Sequence, residues 1–109
     1  MDEVIAEETL VCIRQSGERL SAVASIGRPY QISLDEWACP VSLTGLYGRL
    51  HDAHGLGSLQ ALCLAASLLR QLLRYFVEDG GQLFLSDGET QFPLDATFSK
   101  VGKQPEKAL

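Results

Sequence analysis

One stretch decides the fold of this 109-residue chain: HDAHGLGSLQALCLAASLLRQLLRYF, residues 51–76. It begins as a polar, glycine-containing segment and becomes a long apolar run. Apolar side chains in that run recur at steps of three and four residues, at Leu59, Leu62, Cys63, Ala66, Leu69, Leu73 and Phe76. This spacing is typical of an amphipathic helix. Because Gly80-Gly81 would end it, the pattern predicts one helix over 59–78, about 30 Å long at ~1.5 Å per residue.

The chain before the helix alternates between apolar and polar residues, which is typical of β-strands. Residues 9–14 and 19–26 predict one antiparallel hairpin, and residues 36–43 and 46–53 predict a second. Pro40 lacks an N–H, so its strand should lie at an edge or contain a bulge. Residues 82–86 predict a last strand. The order β-β-β-β-α-β predicts a two-layer α+β fold, in which an antiparallel sheet carries one long helix on one face.

Size and composition predict a single domain over 1–109, with an ordered body at about 4–98 and a flexible C-terminal tail at 99–109. The net charge of −5 argues against nucleic-acid binding. The sequence pattern contains neither a signal peptide nor a membrane-spanning run, so we expect no membrane contact. Cys12, Cys39 and Cys63 are widely spaced, which favours reduced thiols and a cytoplasmic location.

Ser58, at the start of the predicted helix, allows two interpretations. Residues 55–59, Gly-Leu-Gly-Ser-Leu, resemble the Asp-Ser-Leu helix start at which acyl and peptidyl carrier proteins attach phosphopantetheine, but Gly57 stands in place of the aspartate. The carrier fold is also a helical bundle, whereas strands are predicted here before the helix. We therefore favour Ser58 as the helix N-cap, with its hydroxyl oxygen accepting a backbone N–H of the first turn.

His51 and His54 are the candidate metal ligands, to which Cys39 or Asp52 could add a third. They are three residues apart, whereas neighbours on one face of a strand are two apart, and they match no common zinc-binding spacing. Cys39 is a candidate nucleophile beside a histidine, but the sequence offers no third group to orient such a pair. We therefore expect no catalytic residue, no metal and no cofactor.

Four residues are candidates for ligand binding: Arg28, Tyr47, Arg49 and His51. The arginines would bind an anion or stack on an aromatic ring. Alternatively, they pair with nearby acidic residues. Trp37 is expected to belong to the core under the helix rather than to a ligand site.

Several short motifs resemble those of a family of small uncharacterised bacterial proteins. The motifs are Ile26-Gly27-Arg28-Pro29, Trp37-Ala38-Cys39-Pro40, the helix start Ser58-Leu59-Gln60-Ala61-Leu62, and Phe92-Pro93. The resemblance covers about residues 6–94. It implies a stand-alone cytosolic bacterial domain and assigns no catalytic residue.

These observations leave three functional hypotheses. The first is a non-enzymatic protein-interaction or accessory domain of the immunity type, which the acidity, the small size and the very apolar helix favour. The second is a small-molecule or anion-binding module that uses the two arginines and the tyrosine named above. The third is a carrier or an enzyme centred on Ser58, His51 and Cys39.

The predicted helix has more apolar residues than one stripe needs. Leu64, Leu68 and Leu72 follow one another at four-residue spacing beside the predicted core stripe. A leucine left in water forgoes about 1.5–3 kcal/mol of burial, so either the C-terminal segment or a second copy should cover these three. Two-fold pairing is the commonest way to close such a surface, and the pattern therefore predicts a homodimer with no further partner specified.

Overall fold

The computed structural model describes residues 3–48 and 50–98. These residues form an α+β fold, as predicted, with one long helix packed on antiparallel strands. The elements in chain order are β1 Val4–Ile13, β2 Arg19–Gly27, β3 Tyr30–Ser33, β4 Glu36–Cys39, β5 Val41–Thr44, β6 Ala53–Gly55, α1 Ser58–Glu78, β7 Gln82–Leu85 and α2 Leu94–Thr97.

The described strands form two sheets, one with the order β5-β2-β1-β7 and one with the order β3-β4-β6. A single long hairpin passes through both, because β2 pairs with β5 in the first sheet and β3 pairs with β4 in the second. Both arms of this hairpin break at the same level, at Arg28-Pro29 and at Pro40, where the Gly27 N–H donates to the Pro40 carbonyl (2.9 Å). Proline has no N–H for the ladder, so the two arms leave one sheet and enter the other at this level.

The first predicted hairpin, 9–14 with 19–26, is confirmed, although β1 begins earlier, at Val4. The second predicted hairpin, 36–43 with 46–53, is wrong. β5 and β4 pair back onto β2 and β3, and only the three residues of β6 pair with β4. The chain turns directly after β5, where the Tyr47 N–H donates to the Leu43 carbonyl (3.1 Å). The described residues of 46–52 therefore form no strand, although they alternate.

The predicted helix is confirmed as α1, which has 21 residues. Its buried face consists of Ala61, Ala65, Leu69, Leu73 and Phe76. This face packs on side chains of the four-stranded sheet that have no exposed surface, among them Leu10 and Leu43. Trp37 packs half-buried against the same cluster, so its predicted place in the core is confirmed in part.

The prediction that Ser58 caps α1 is wrong. The N-cap is Gly57, which has extended backbone and no side chain to accept a hydrogen bond, and Ser58 is the first helical residue. A side chain within the first helical turn makes a hydrogen bond to the chain before the helix instead: Gln60 Oε1 accepts the Leu56 N–H (2.6 Å). The contact resembles one arm of a capping box, in which the third helical residue reaches back to the N-cap N–H, but here it binds Leu56, the residue before the N-cap Gly57.

The chain after α1 returns to the first sheet. The predicted last strand, 82–86, is confirmed as β7, and the buried Phe92 then leads into α2. Asp95 of α2 pairs with Arg74 of α1 (2.6 Å) and, more distantly, with Arg70 (3.9 Å). The predicted tail at 99–109 lies outside the described residues. In the described part of the chain, no helix is long and apolar enough to cross a membrane.

Candidate binding groove

A surface groove of about 920 Å³ lies where the long hairpin passes from one sheet to the other. It is lined chiefly by Arg28, Tyr30, Val41, Tyr47, Leu50 and Asp52. We call it the tyrosine groove. The kink at Pro29 and Pro40 forms part of its lining, so the two prolines that divide the sheets also position the groove.

Two of the predicted ligand-binding residues, Arg28 and Tyr47, line this same groove although they are far apart in the sequence. A third, His51, lines a smaller neighbouring pocket of about 320 Å³, together with His54. Leu50 and Asp52 line both cavities, so the fold places the three candidates in one region. The fourth candidate, Arg49, lies outside the described residues.

The charges of the groove do not favour an anion. Arg28 Nη1 lies 3.4 Å from Glu3 Oε1, and both side chains are exposed. Asp52 adds a second carboxylate, so the described lining residues carry two carboxylates for one guanidinium. Of the two interpretations of the arginines, pairing with a nearby acidic residue is therefore the one that holds for Arg28.

A short hydrogen bond ties the two sides of the groove together. The Tyr30 hydroxyl donates to Asp52 Oδ2 (2.6 Å), and sequence patterning missed Tyr30 as a groove residue. This hydrogen bond, with smaller contributions from desolvation and from the negative charge of Asp52, raises the pKa of Tyr30. The phenol is therefore neutral at physiological pH and holds its ring in place as a donor. Its position directly after Arg28-Pro29 is the signal in the sequence that could have identified it.

The remaining sequence candidates are held in structural contacts. Cys39 is fully buried, and its thiol donates to the Gly27 carbonyl (Sγ to O, 3.4 Å). Burial, and secondly the charge of Asp52, raise the pKa of this thiol, which disfavours the nucleophilic thiolate. His54 Nδ1 lies 2.9 Å from Glu36 Oε2. Within residues 3–48 and 50–98, no cluster of three or more His, Cys, Asp or Glu side chains could hold a metal ion.

The model of one protein family, described as a domain of unknown function (DUF6968), matches residues 6–94. The chain belongs to this DUF6968 family. The match spans most of the chain and includes every part of the tyrosine groove from Arg28 to Asp52. The predicted membership of an uncharacterised family is thereby confirmed. Searches of curated proteins and of solved structures find no match.

In this DUF6968 chain, the three extra leucines of α1 differ in how far they are exposed. Leu64 is 44% exposed, whereas Leu68 and Leu72 are half-buried against the core. Asp95 of α2 pairs with Arg74 and Arg70, which lie about 120° and 160° around the helix from Leu68. The contact with α2 therefore lies on a different side of α1 from Leu68.

Proposed function

We propose that this protein is a non-enzymatic protein-binding domain, and that a partner protein docks in the tyrosine groove. The observation that carries the proposal is the convergence of Arg28, Tyr30 and Tyr47 in one solvent-open groove. Tyrosine and arginine are the residue types that contribute most often to binding energy at protein interfaces. The hydrogen bond to Asp52 holds Tyr30 before any partner arrives, which reduces the entropy lost on binding.

The shape of the groove supports a protein partner over a small molecule. Small-molecule pockets enclose most of the ligand surface, whereas the groove residues remain open to solvent: Arg28 is 70% exposed in its side chain, Tyr30 is 46% exposed and Tyr47 is 38% exposed. The partly buried Leu50 and the tyrosine rings line the groove together with charged groups of both signs. Protein interfaces combine apolar and charged side chains in this way.

The proposal includes an accessory or immunity-type role in a bacterial cytoplasm. The three cysteines are all free among the described residues, which supports a reducing compartment. Two of them, Cys12 and Cys39, are buried in the core and act there as small apolar groups.

Affinity capture from the source cells tests the proposed partner site. The bait would be the full chain, compared with the double variant Tyr30→Ala/Tyr47→Ala and with Tyr75→Ala as a control. Tyr75 is 48% exposed on α1, away from the groove. We expect proteins that the wild type and the control retain to be lost with the double variant. An identical set of proteins for all three baits would refute the groove as the partner site.

The anion-binding alternative has a separate test. Isothermal titration with phosphate and with sulfate would compare the wild-type chain with Arg28→Gln. We expect neither anion to bind, because Glu3 and Asp52 share the groove with Arg28. Saturable phosphate binding that Arg28→Gln abolishes would instead favour a small-molecule or anion-binding module.

A further inference from the structure

A second surface, separate from the tyrosine groove, lies along the first half of β1. β1 has ten residues, and β2 pairs along nearly its whole length. On its other side, β7 pairs only with Leu10–Ile13. Among the described residues, Val4–Thr9 therefore have no strand on that side, and all six are exposed. Alternate residues of an antiparallel strand direct both the N–H and the C=O to the same side, so this edge presents unpaired backbone groups.

Two carboxylates give this edge a charge. Glu7 is paired with Ser25, which has its hydroxyl 3.1 Å from Glu7 Oε2, and Glu8 is paired with Ala24. Neighbouring residues of a strand point to opposite faces, so one carboxylate lies on each face of the sheet beside the open edge. A strand that pairs here meets a negative charge on either face.

This charge disfavours a second copy of the chain as the occupant. The register shifts between Val4 and Ala6, and the regular part of the edge is therefore Ala6–Thr9. Antiparallel pairing of this edge with the same edge of a second copy, in a register centred on Glu7 or on Glu8, would place that glutamate directly opposite its own copy. Like charges directly opposite each other destabilise a strand pair. An occupant with basic residues would gain favourable cross-strand pairs at the same positions.

We propose that the Val4–Thr9 edge of β1 binds an extended segment of a partner protein that carries two adjacent Lys or Arg residues. The segment adds a strand to the sheet, with main-chain hydrogen bonds providing affinity and the two basic side chains pairing with Glu7 and Glu8. Val4 and Ile5, which are 45% and 48% exposed, lie within the same edge and would be covered further by the added strand.

Titration with synthetic hexapeptides tests this site on the full chain. The probe is TVKKVT, with TVEEVT as the charge control and TPKKPT as a control that lacks two backbone donors. We expect saturable binding of TVKKVT at concentrations up to about 1 mM, and slower hydrogen exchange of backbone amides within Val4–Thr9 when it binds. TVEEVT and TPKKPT should not bind.

A charge-reversal pair of variants locates the contact. Glu8→Lys should weaken TVKKVT about tenfold, since an attractive cross-strand pair becomes a repulsive one, and should allow TVEEVT to bind. Glu78→Lys makes the same change of charge at an exposed position near the end of α1 and should leave both affinities unchanged.

Three results would overturn the proposal. One is the absence of saturable TVKKVT binding at about 1 mM. Another is an equal loss of affinity for Glu8→Lys and Glu78→Lys, which would indicate only a general attraction to an acidic protein. The third is slow exchange, in the free chain, of those Val4–Thr9 amides that face away from β2, which would mean that another part of the chain or a second copy already occupies the edge. None of these results bears on the tyrosine groove.

Discussion

The two halves of β1 have the same backbone conformation and opposite surroundings. Leu10–Ile13 lie between β2 and β7, and the side chains of Leu10 and Cys12 are fully buried. Within the part of the chain that the structure describes, Val4–Thr9 pair with β2 alone and are exposed. The border falls where β7 ends, because Leu85 is the last residue of β7 and pairs with Leu10. One half of the strand therefore contributes to the core, and the other is left available for contact, so stability and binding can be altered separately.

Truncation of Leu10 should have the largest effect on this comparison. Leu10 has no exposed surface and packs in the central cluster, so Leu10→Ala should lower the free energy of unfolding by about 2–5 kcal/mol. Ile5→Ala is the matched change in the open half, where Ile5 is 48% exposed, and should cost less than about 1 kcal/mol. Urea unfolding measures both. Equal losses would show that the open half is also buried in solution.

A glycine on the far side of β2 should have the next largest effect. Gly45 has φ +96°, and a Cβ added there would collide with the Ser21 carbonyl oxygen. Ser21 is paired with Val11 in the buried half of β1. Gly45→Ala should therefore cost about 2–4 kcal/mol, from strained backbone and steric overlap together.

Gly17 separates these two causes. It has the same φ of +96° but open space around it, so Gly17→Ala should cost only about 1 kcal/mol. Thermal unfolding of the two variants gives the difference. Similar losses would mean that close packing against β2 contributes little beyond the backbone conformation.

The spacing of apolar residues predicted those helices and strands whose pattern lies within one continuous stretch of sequence. The α1 helix follows from its own apolar spacing, and the β1–β2 hairpin follows from alternation on both sides of a glycine turn. The second hairpin failed because alternation does not identify a strand's partner. Residues 36–43 alternate without interruption, yet Pro40 divides them between two sheets, and a proline in a sequence does not reveal how far the chain bends.

The candidate groove could be predicted only in part for the same reason. Arg28 and Tyr47 were identified because of their residue types, without knowledge that they line one groove. Asp52 looks in the sequence like an ordinary solvated acid near a turn, and only the fold brings it to the Tyr30 hydroxyl. Likewise, the sequence did not show which residue before α1 has the extended backbone of an N-cap. That residue is Gly57 rather than Ser58.

The predicted homodimer provides a test of whether the open half of β1 stays open. If Leu64 is covered by a second copy, sedimentation at micromolar concentration should give twice the chain mass of 11.9 kDa. Leu64→Glu should then give the monomer mass, because burial of one half-exposed leucine is worth about 1 kcal/mol and a buried carboxylate costs more. Backbone amides in Val4–Thr9 should exchange at the same rate in both forms.

Val77→Glu is the matched control for the dimer. Val77 is 42% exposed, similar to Leu64, and lies about 140° around the helix from it. It should leave the mass doubled. A wild-type chain that sediments as a monomer would refute the homodimer. If the backbone amides of Val4–Thr9 exchange more slowly in the dimer than in the monomer, the contact between the copies lies on β1 instead.

The smallest expected effect concerns the turn that ends β7 and so fixes the border between the two halves of β1. Asp87 Oδ1 accepts the N–H groups of Glu89 and Thr90 (both 2.8 Å), and Oδ2 accepts the Thr90 hydroxyl (2.6 Å). The Thr90 hydroxyl, followed by the two backbone groups, lowers the pKa of Asp87 below its ordinary value of 3.8. The charged carboxylate is therefore the form that the folded turn binds.

The direction of the pH effect follows from that shift. A carboxyl whose pKa is lower in the folded state contributes stability above its unfolded pKa, and this contribution is lost as the pH falls through the folded pKa. The amide proton shifts of Glu89 and Thr90 should therefore titrate with a midpoint below 3.8, and exchange at the Leu85–Thr90 turn should speed up below it. Asp87→Asn should remove the titration, whereas Asp35→Asn, an exposed acid between β3 and β4, should leave it unchanged. If the border is set by this turn, acid should expose the amides of β7 near Leu85 before those near Gln82, because Gln82 lies at the end of β7 away from the turn.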